Sequence, residues 1–83
     1  MKPHQERMTK EYIELYDRRS KLGQFITDYY QDKLDFKPDT PIAILIAQCA
    51  IMDSYLSILK YRADVEGFYF DFITEFNNHF IDK

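Results

Sequence analysis

The sequence predicts an all-α fold: an antiparallel helical hairpin followed by a short C-terminal helix, assembled into a homo-oligomer. Three observations predict it. Apolar residues recur at alternating steps of three and four along two long stretches, the spacing of a helical stripe. The second stretch, Ile42 to Arg62, carries two adjacent seams, Leu45, Cys49, Met52, Leu56, Leu59 and Ala63 beside Ile44, Gln48, Ile51, Tyr55, Ile58 and Arg62. One partner helix covers one seam, so the other points to a second subunit or a ligand. Finally, 83 residues form one domain near the size at which a single core only just outweighs chain entropy, where association is a common remedy.

The first helix is predicted over about residues 3–32. Pro3 suits a first helical turn because its missing N–H costs nothing there, and Glu6 favours the positive end of the same helix. Met8, Tyr12, Leu15, Arg19, Leu22, Ile26 and Tyr29 then form one seam, apolar except at Arg19. Gly23 interrupts the helix at a cost of about 1 kcal/mol relative to alanine. It is explained either by close approach of a neighbouring helix or by room for a ligand.

Lys33 to Thr40 lose the period and contain Pro38, so they read as a connector, short enough to make the two helices antiparallel. The second helix is predicted over about residues 41–64. Thr40 is the expected N-cap, its hydroxyl accepting from a first-turn N–H, with Pro41 at the first helical position. Gly67 breaks the chain ahead of an aromatic tail. Phe68, Phe70 and Phe72 alternate as in a strand, whereas Phe68, Phe72, Phe76 and Phe80 fit a helical stripe; the longer pattern favours a helix over about 68–81.

Composition narrows the function. Seven Tyr, seven Phe and a hydrophobic fraction of 46% exclude a disordered chain. A net charge of −3 argues against binding duplex nucleic acid, which requires a basic stripe. His4 and His79 lie near opposite termini, and the one cysteine, Cys49, sits in an apolar run. No nucleophile–base pair, phosphate loop or metal-ligand spacing emerges, so no enzyme, metal site or cofactor is expected. No uninterrupted apolar run approaches the ~20 residues of a bilayer span, and the charged start lacks a signal-peptide core, so a cytoplasmic protein without membrane contact is expected.

The basic residues suggest a binding site. Arg18 and Lys21 read as solvated charges paired with Glu14 or Asp17 at helical spacing. Arg19 and Arg62 fall within apolar seams, where a guanidinium either reaches the rim or takes an anion, a carboxylate or a phosphate. Tyrosines on both helices offer flat faces for bases, although most aromatic residues at this spacing pack in cores.

Two strings resemble a known family. Tyr12 to Ile26 carries Y-x-E-L followed by K-L-x-x-F-I, through Tyr12, Glu14, Leu15, Lys21, Leu22, Phe25 and Ile26. Leu45 to Arg62 carries L-x-x-Q-x-x-x-M-x-x-Y-x-x-I-L-x-x-R, through Leu45, Gln48, Met52, Tyr55, Ile58, Leu59 and Arg62. Together they resemble the phage helical-hairpin sponge proteins: the anti-CBASS cyclic-oligonucleotide sponges, the related hairpin of anti-Thoeris sponges and proteins of crAss-like phages. The resemblance implies a hexamer that holds cyclic di- or trinucleotides, or related ADP-ribose signals, in the host cytosol without cleaving them. It further implies base stacking on Tyr12, phosphate or ribose contacts from Thr27, Asp28 and Tyr29 just after the F-I pair, and ligand contact by Arg62 at a subunit junction. Arg19 joins this set from its place in the seam. Where a lysine can follow F-I in such sponges, this chain has Thr27 and then Asp28. The tail after Gly67 lies outside the resemblance. The alternative reading is a helical interaction module that docks on a host protein through its second apolar face.

Overall fold

The computed structural model describes residues 2–70. They form two helices, α1 (Pro3–Tyr30) and α2 (Ile42–Glu66), packed as an antiparallel hairpin. Among the described residues there is no strand. Residues 68–70 are non-helical, and the remainder of the helix expected at 68–81 lies outside the described residues.

Each helix end has a local cause. At the start of α1, Pro3 occupies the first position, the Lys2 N–H donates to Gln5 Oε1 at 3.1 Å, and the Gln5 and Glu6 amides donate to the Lys2 carbonyl. The other end of α1 stops two residues earlier than expected. Asp32 there adopts a left-handed φ of 60°, while its N–H donates to the Tyr29 carbonyl and the Lys33 N–H to that of Asp28. That paired arrangement satisfies the last carbonyls and reverses the chain. The end of α2 repeats it: Gly67 takes φ 75°, the Gly67 amide donates to Asp64 and the Phe68 amide to Ala63. The expected Thr40 cap is not formed. Pro41 itself is the capping residue, with an extended ψ of 137° and no side-chain hydrogen bond, so the helix starts one residue later and the threonine hydroxyl is displaced from the first turn.

Of the two seams on α2, one is used. Cys49, Leu56, Leu59 and Ala63 are buried, Leu56 and Leu59 in one cluster with Met8, Tyr12 and Leu15 of α1, and Leu59 is 0% exposed. The second seam is bare: Ile51 is 69% exposed and Ile58 is 58% exposed. By length and composition α2 is able to cross a membrane, contrary to the expectation drawn from uninterrupted apolar runs. Gln48, Asp53 and Ser54 break the run, but they weigh little when averaged along a 25-residue helix. One such helix is weak evidence for a span, because the core helix of a soluble protein passes the same test; in α2 only 17% of the apolar window is buried.

Packing is uneven along the hairpin. The buried cluster lies in the half that contains the N-terminus of α1 and the C-terminus of α2, and Phe68 and Phe70 fold back onto it after the turn at Gly67. Toward the connector, Leu22, Phe25, Ile26, Ile42 and Leu45 are only partly buried. Open grooves lie there.

Candidate functional site

A groove that draws on both helices has a cavity of about 510 Å³, lined by Arg19, Ser20, Gly23, Gln24, Ile26 and Thr27 of α1 and by Ile46 and Cys49 of α2. The 3.6-residue turn of α1 stacks Arg19, Gly23 and Thr27 on one face. Arg19 reaches across to α2, where its Nε–H donates to Asp53 Oδ1 at 2.7 Å and its Nη2–H to Oδ2 at 3.3 Å. Both groups retain contact with water, the Asp53 side chain being half exposed. The two-point hydrogen bond holds the Asp53 carboxylic acid below its ordinary value and raises Arg19 further above its own.

Gly23 is explained by this pair. A Cβ on Gly23 would collide with Arg19 Nη1 and lie 3.6 Å from Cζ, with no other neighbour among its nearest atoms. The missing side chain is therefore the space through which the guanidinium crosses.

The six residues expected to meet ligand are dispersed. Arg19 and Thr27 share the groove. Asp28 does not line it, although its Oδ1 accepts from Nε2 of the lining residue Gln24 at 2.8 Å. Tyr29 stands edge-on to Tyr30 with ring centres 5.3 Å apart, and both line a second groove of about 680 Å³ with Asp32, Leu34, Phe36 and Pro38. Tyr12 is a core residue, 5% exposed, and stacks on Phe70 with ring centres 4.5 Å apart. Burial and the neighbouring Tyr16 raise its phenol above the ordinary value. A base would reach that ring in place of Phe70.

Arg62 is exposed, one turn from Glu66, which binds His4 at 2.6 Å and accepts from Gln5 Nε2 at 3.1 Å. These contacts set Arg62 toward the start of α1, roughly 25 Å along the hairpin from Thr27 and roughly 13 Å from the level of Arg19 and Asp53 at 1.5 Å per residue. It also lies on the other flank. Successive residues turn by about 100°, so Ile44, Ile51, Tyr55, Ile58 and Arg62 occupy one flank of α2, and Ile46, Cys49 and Asp53 the opposite one. The cross-helix contacts agree: the Tyr55 hydroxyl donates to Glu11, while Asp53 takes Arg19. One small ligand on one chain cannot touch both Arg62 and the Arg19 groove.

Sequence reasoning left Arg19 either to reach the rim or to take an anion, and it did not identify Asp53. The signal was available, because residues 19 and 53 sit at matching levels once the hairpin register is known. Lys21 meets Asp17 at 3.0 Å, the pairing expected from helical spacing. Among the described residues no cluster of His, Cys, Asp or Glu is placed to hold a metal ion.

These features define a small helical-hairpin protein with a solvent-open, arginine-bearing groove and a bare apolar flank. Residues 2–65 match the Sequestin family, and the chain belongs to that family. The match spans both helices and ends just before Gly67, so the aromatic tail lies beyond it. Comparison with curated proteins and with solved structures gave no match.

Proposed function

We propose that this protein sequesters a phosphate-bearing nucleotide signal, a cyclic di- or trinucleotide or a related ADP-ribose species, and releases it unchanged. Membership of the Sequestin family, whose name denotes sequestration, carries the reading. The Arg19 groove supports it: a guanidinium offers parallel N–H donors to phosphate, and the Thr27 hydroxyl adds a further donor or acceptor. Sequestration needs affinity and abundance, not catalytic groups. In this reading the protein is phage-encoded and acts in the host cytosol to deprive an immune effector of its signal.

The same reading makes the protein a homo-oligomer, a hexamer by the resemblance of its helices. The bare seam is the proposed contact surface. Its members Ile44 to Arg62 are centred between Ile51 and Tyr55, so an antiparallel second copy would set Arg62 level with the partner's Ile44, at the end of the hairpin where Asp28 and Tyr29 lie. The charges favour that arrangement: Lys60 and Arg62 would approach a connector end rich in Asp28, Asp32, Asp35 and Asp39.

A thermal-shift screen against cyclic di- and trinucleotides and cyclic ADP-ribose isomers tests the proposal. Ligand at a hundred times its dissociation constant adds about 2.7 kcal/mol, and each kcal/mol raises the Tm of a domain this small by about 4–8 °C. The bound compound should be recovered intact by chromatography. Absence of a shift with every compound at low salt would reject the idea.

The bare seam also favours a second reading, docking on a host protein, because contiguous exposed apolar surface marks partner sites. The two separate on Arg19→Ala, which removes the cation of the groove. Under sequestration the variant weakens nucleotide binding; under docking, nucleotide titrations are flat before and after the change.

A further inference from the structure

Arg19 is the groove's strongest anion-binding group, yet it already holds an anion. Asp53 takes the Nε–H and Nη2–H edge of its donor fork, at 2.7 and 3.3 Å, from the opposite helix. The pair is open to water, so the carboxylate is held by hydrogen bonds and not by burial. The guanidinium fills the space that Gly23 leaves and stands on the wall of the open cavity. As the end of a flexible side chain held by water-exposed hydrogen bonds, it can turn from Asp53 toward a molecule in the groove without moving the backbone.

We propose that Asp53 is the resident anion of this groove, and that a phosphate-bearing ligand takes Arg19 by displacing the Asp53 carboxylate. The exchange is phosphate for carboxylate on one guanidinium, with no covalent change. Two consequences follow from the charges. A ligand must present an anionic group able to make the same two-point contact, since a neutral ligand leaves the Asp53 pair in place. The displaced carboxylate stays one helical turn from Cys49 of the groove wall and repels bound anionic charge, so Asp53 sets the affinity threshold and discriminates against weak anions. Sequence spacing gives no reason for an acid in the middle of the apolar α2; this role supplies one. The site also lies on the flank opposite the bare seam, so copies packed through that seam leave it open. The inference deepens the proposed nucleotide capture by naming the residue that selects for phosphate.

The test uses the full-length protein labelled with 15N, titrated with inorganic phosphate while the Arg19 Nε–H resonance is followed by NMR. In the wild type that resonance should move toward a new position as phosphate replaces Asp53. Asp53→Asn should bind phosphate several-fold more tightly. Asp17→Asn, which removes the same charge from a carboxylate paired elsewhere on α1, should leave the affinity unchanged. An Arg19 resonance that stays fixed in both the wild type and Asp53→Asn overturns the proposal, as does equal tightening by Asp17→Asn, which reduces the effect to net charge. Failure here is distinct from failure of nucleotide capture: nucleotides that raise the Tm while the Arg19 resonance stays fixed refute only the role of Asp53. Phosphate that displaces Asp53 while every nucleotide fails leaves the groove an anion site and rejects the wider reading.

Discussion

Gly23→Ala discriminates between the explanations for a glycine inside a long helix. Among the described residues, the added methyl meets only the guanidinium end of Arg19. That end belongs to a flexible side chain, so it can swing aside at the expense of its hydrogen bonds to Asp53, which are exposed to water and contribute little to stability. Against this loss stands the helix propensity of alanine, about 1 kcal/mol better than glycine in a helix interior. The propensity is the larger effect, so the variant should be neutral or more stable by up to about 1 kcal/mol, equivalent to a rise in Tm of up to about 4–8 °C. Urea denaturation at fixed protein concentration measures it. In an Arg19→Ala background nothing remains for the methyl to displace, and the full gain should emerge. Destabilisation of more than about 1 kcal/mol in either background would refute the reasoning, since it would require a second backbone packed on Gly23.

Other expectations rest on single features. Asp32→Gly should stabilise by roughly 0.5–1 kcal/mol in denaturant melts, because glycine adopts the left-handed turn without the Cβ penalty and removes an acid from the negative end of α1. Leu59→Ala should cost about 2–5 kcal/mol, enough to abolish a cooperative melt by circular dichroism in so small a domain, because Leu59 is 0% exposed at the centre of the core. Acid should loosen the hairpin in a defined order of sign. The Asp53 and Glu66 acids are both held below their ordinary values, 3.8 and 4.5, Glu66 chiefly by its hydrogen bond from His4 and then by that from Gln5. Their contribution is therefore full above those ordinary values and is lost as the pH falls through the lower folded values. Asp53→Asn and Glu66→Gln together should flatten the pH dependence of Tm below about pH 4.

The two-seam pattern of α2 was legible because helical periodicity depends only on sequence spacing, and the structure buries one seam and bares the other. Helix ends were less legible. The left-handed Asp32 and the capping Pro41 reflect backbone angles that several residue types adopt, and neither Asp nor Thr-Pro announces which of them ends the regular run. The candidate site was legible in part. Arg19 stood out as a charge in an apolar stripe, but its partner Asp53 is 34 positions away and becomes a neighbour only through the hairpin register. Tyr12 illustrates the opposite problem. Its type and position suit base stacking equally well as core packing, and only the fold reveals that Phe70, from beyond the family match, lies on its ring.

That contact bears on how the chain divides its labour. The groove is compatible with a stable hairpin because it lies in the half near the connector, where apolar side chains are only partly buried, while the tightly packed half supplies the folding energy. Phe68 and Phe70 add apolar contact to the packed half, and Tyr12 lies seven residues from Arg19, roughly 10 Å along α1. An addition at that end strengthens the hairpin without filling the Arg19 groove. It also changes what Tyr12 offers a ligand, since its face is occupied by Phe70 from the same chain. Among the described residues, the groups that the proposed nucleotide would meet are then concentrated on the Arg19 and Thr27 face of α1, with Asp53 as the proposed competitor.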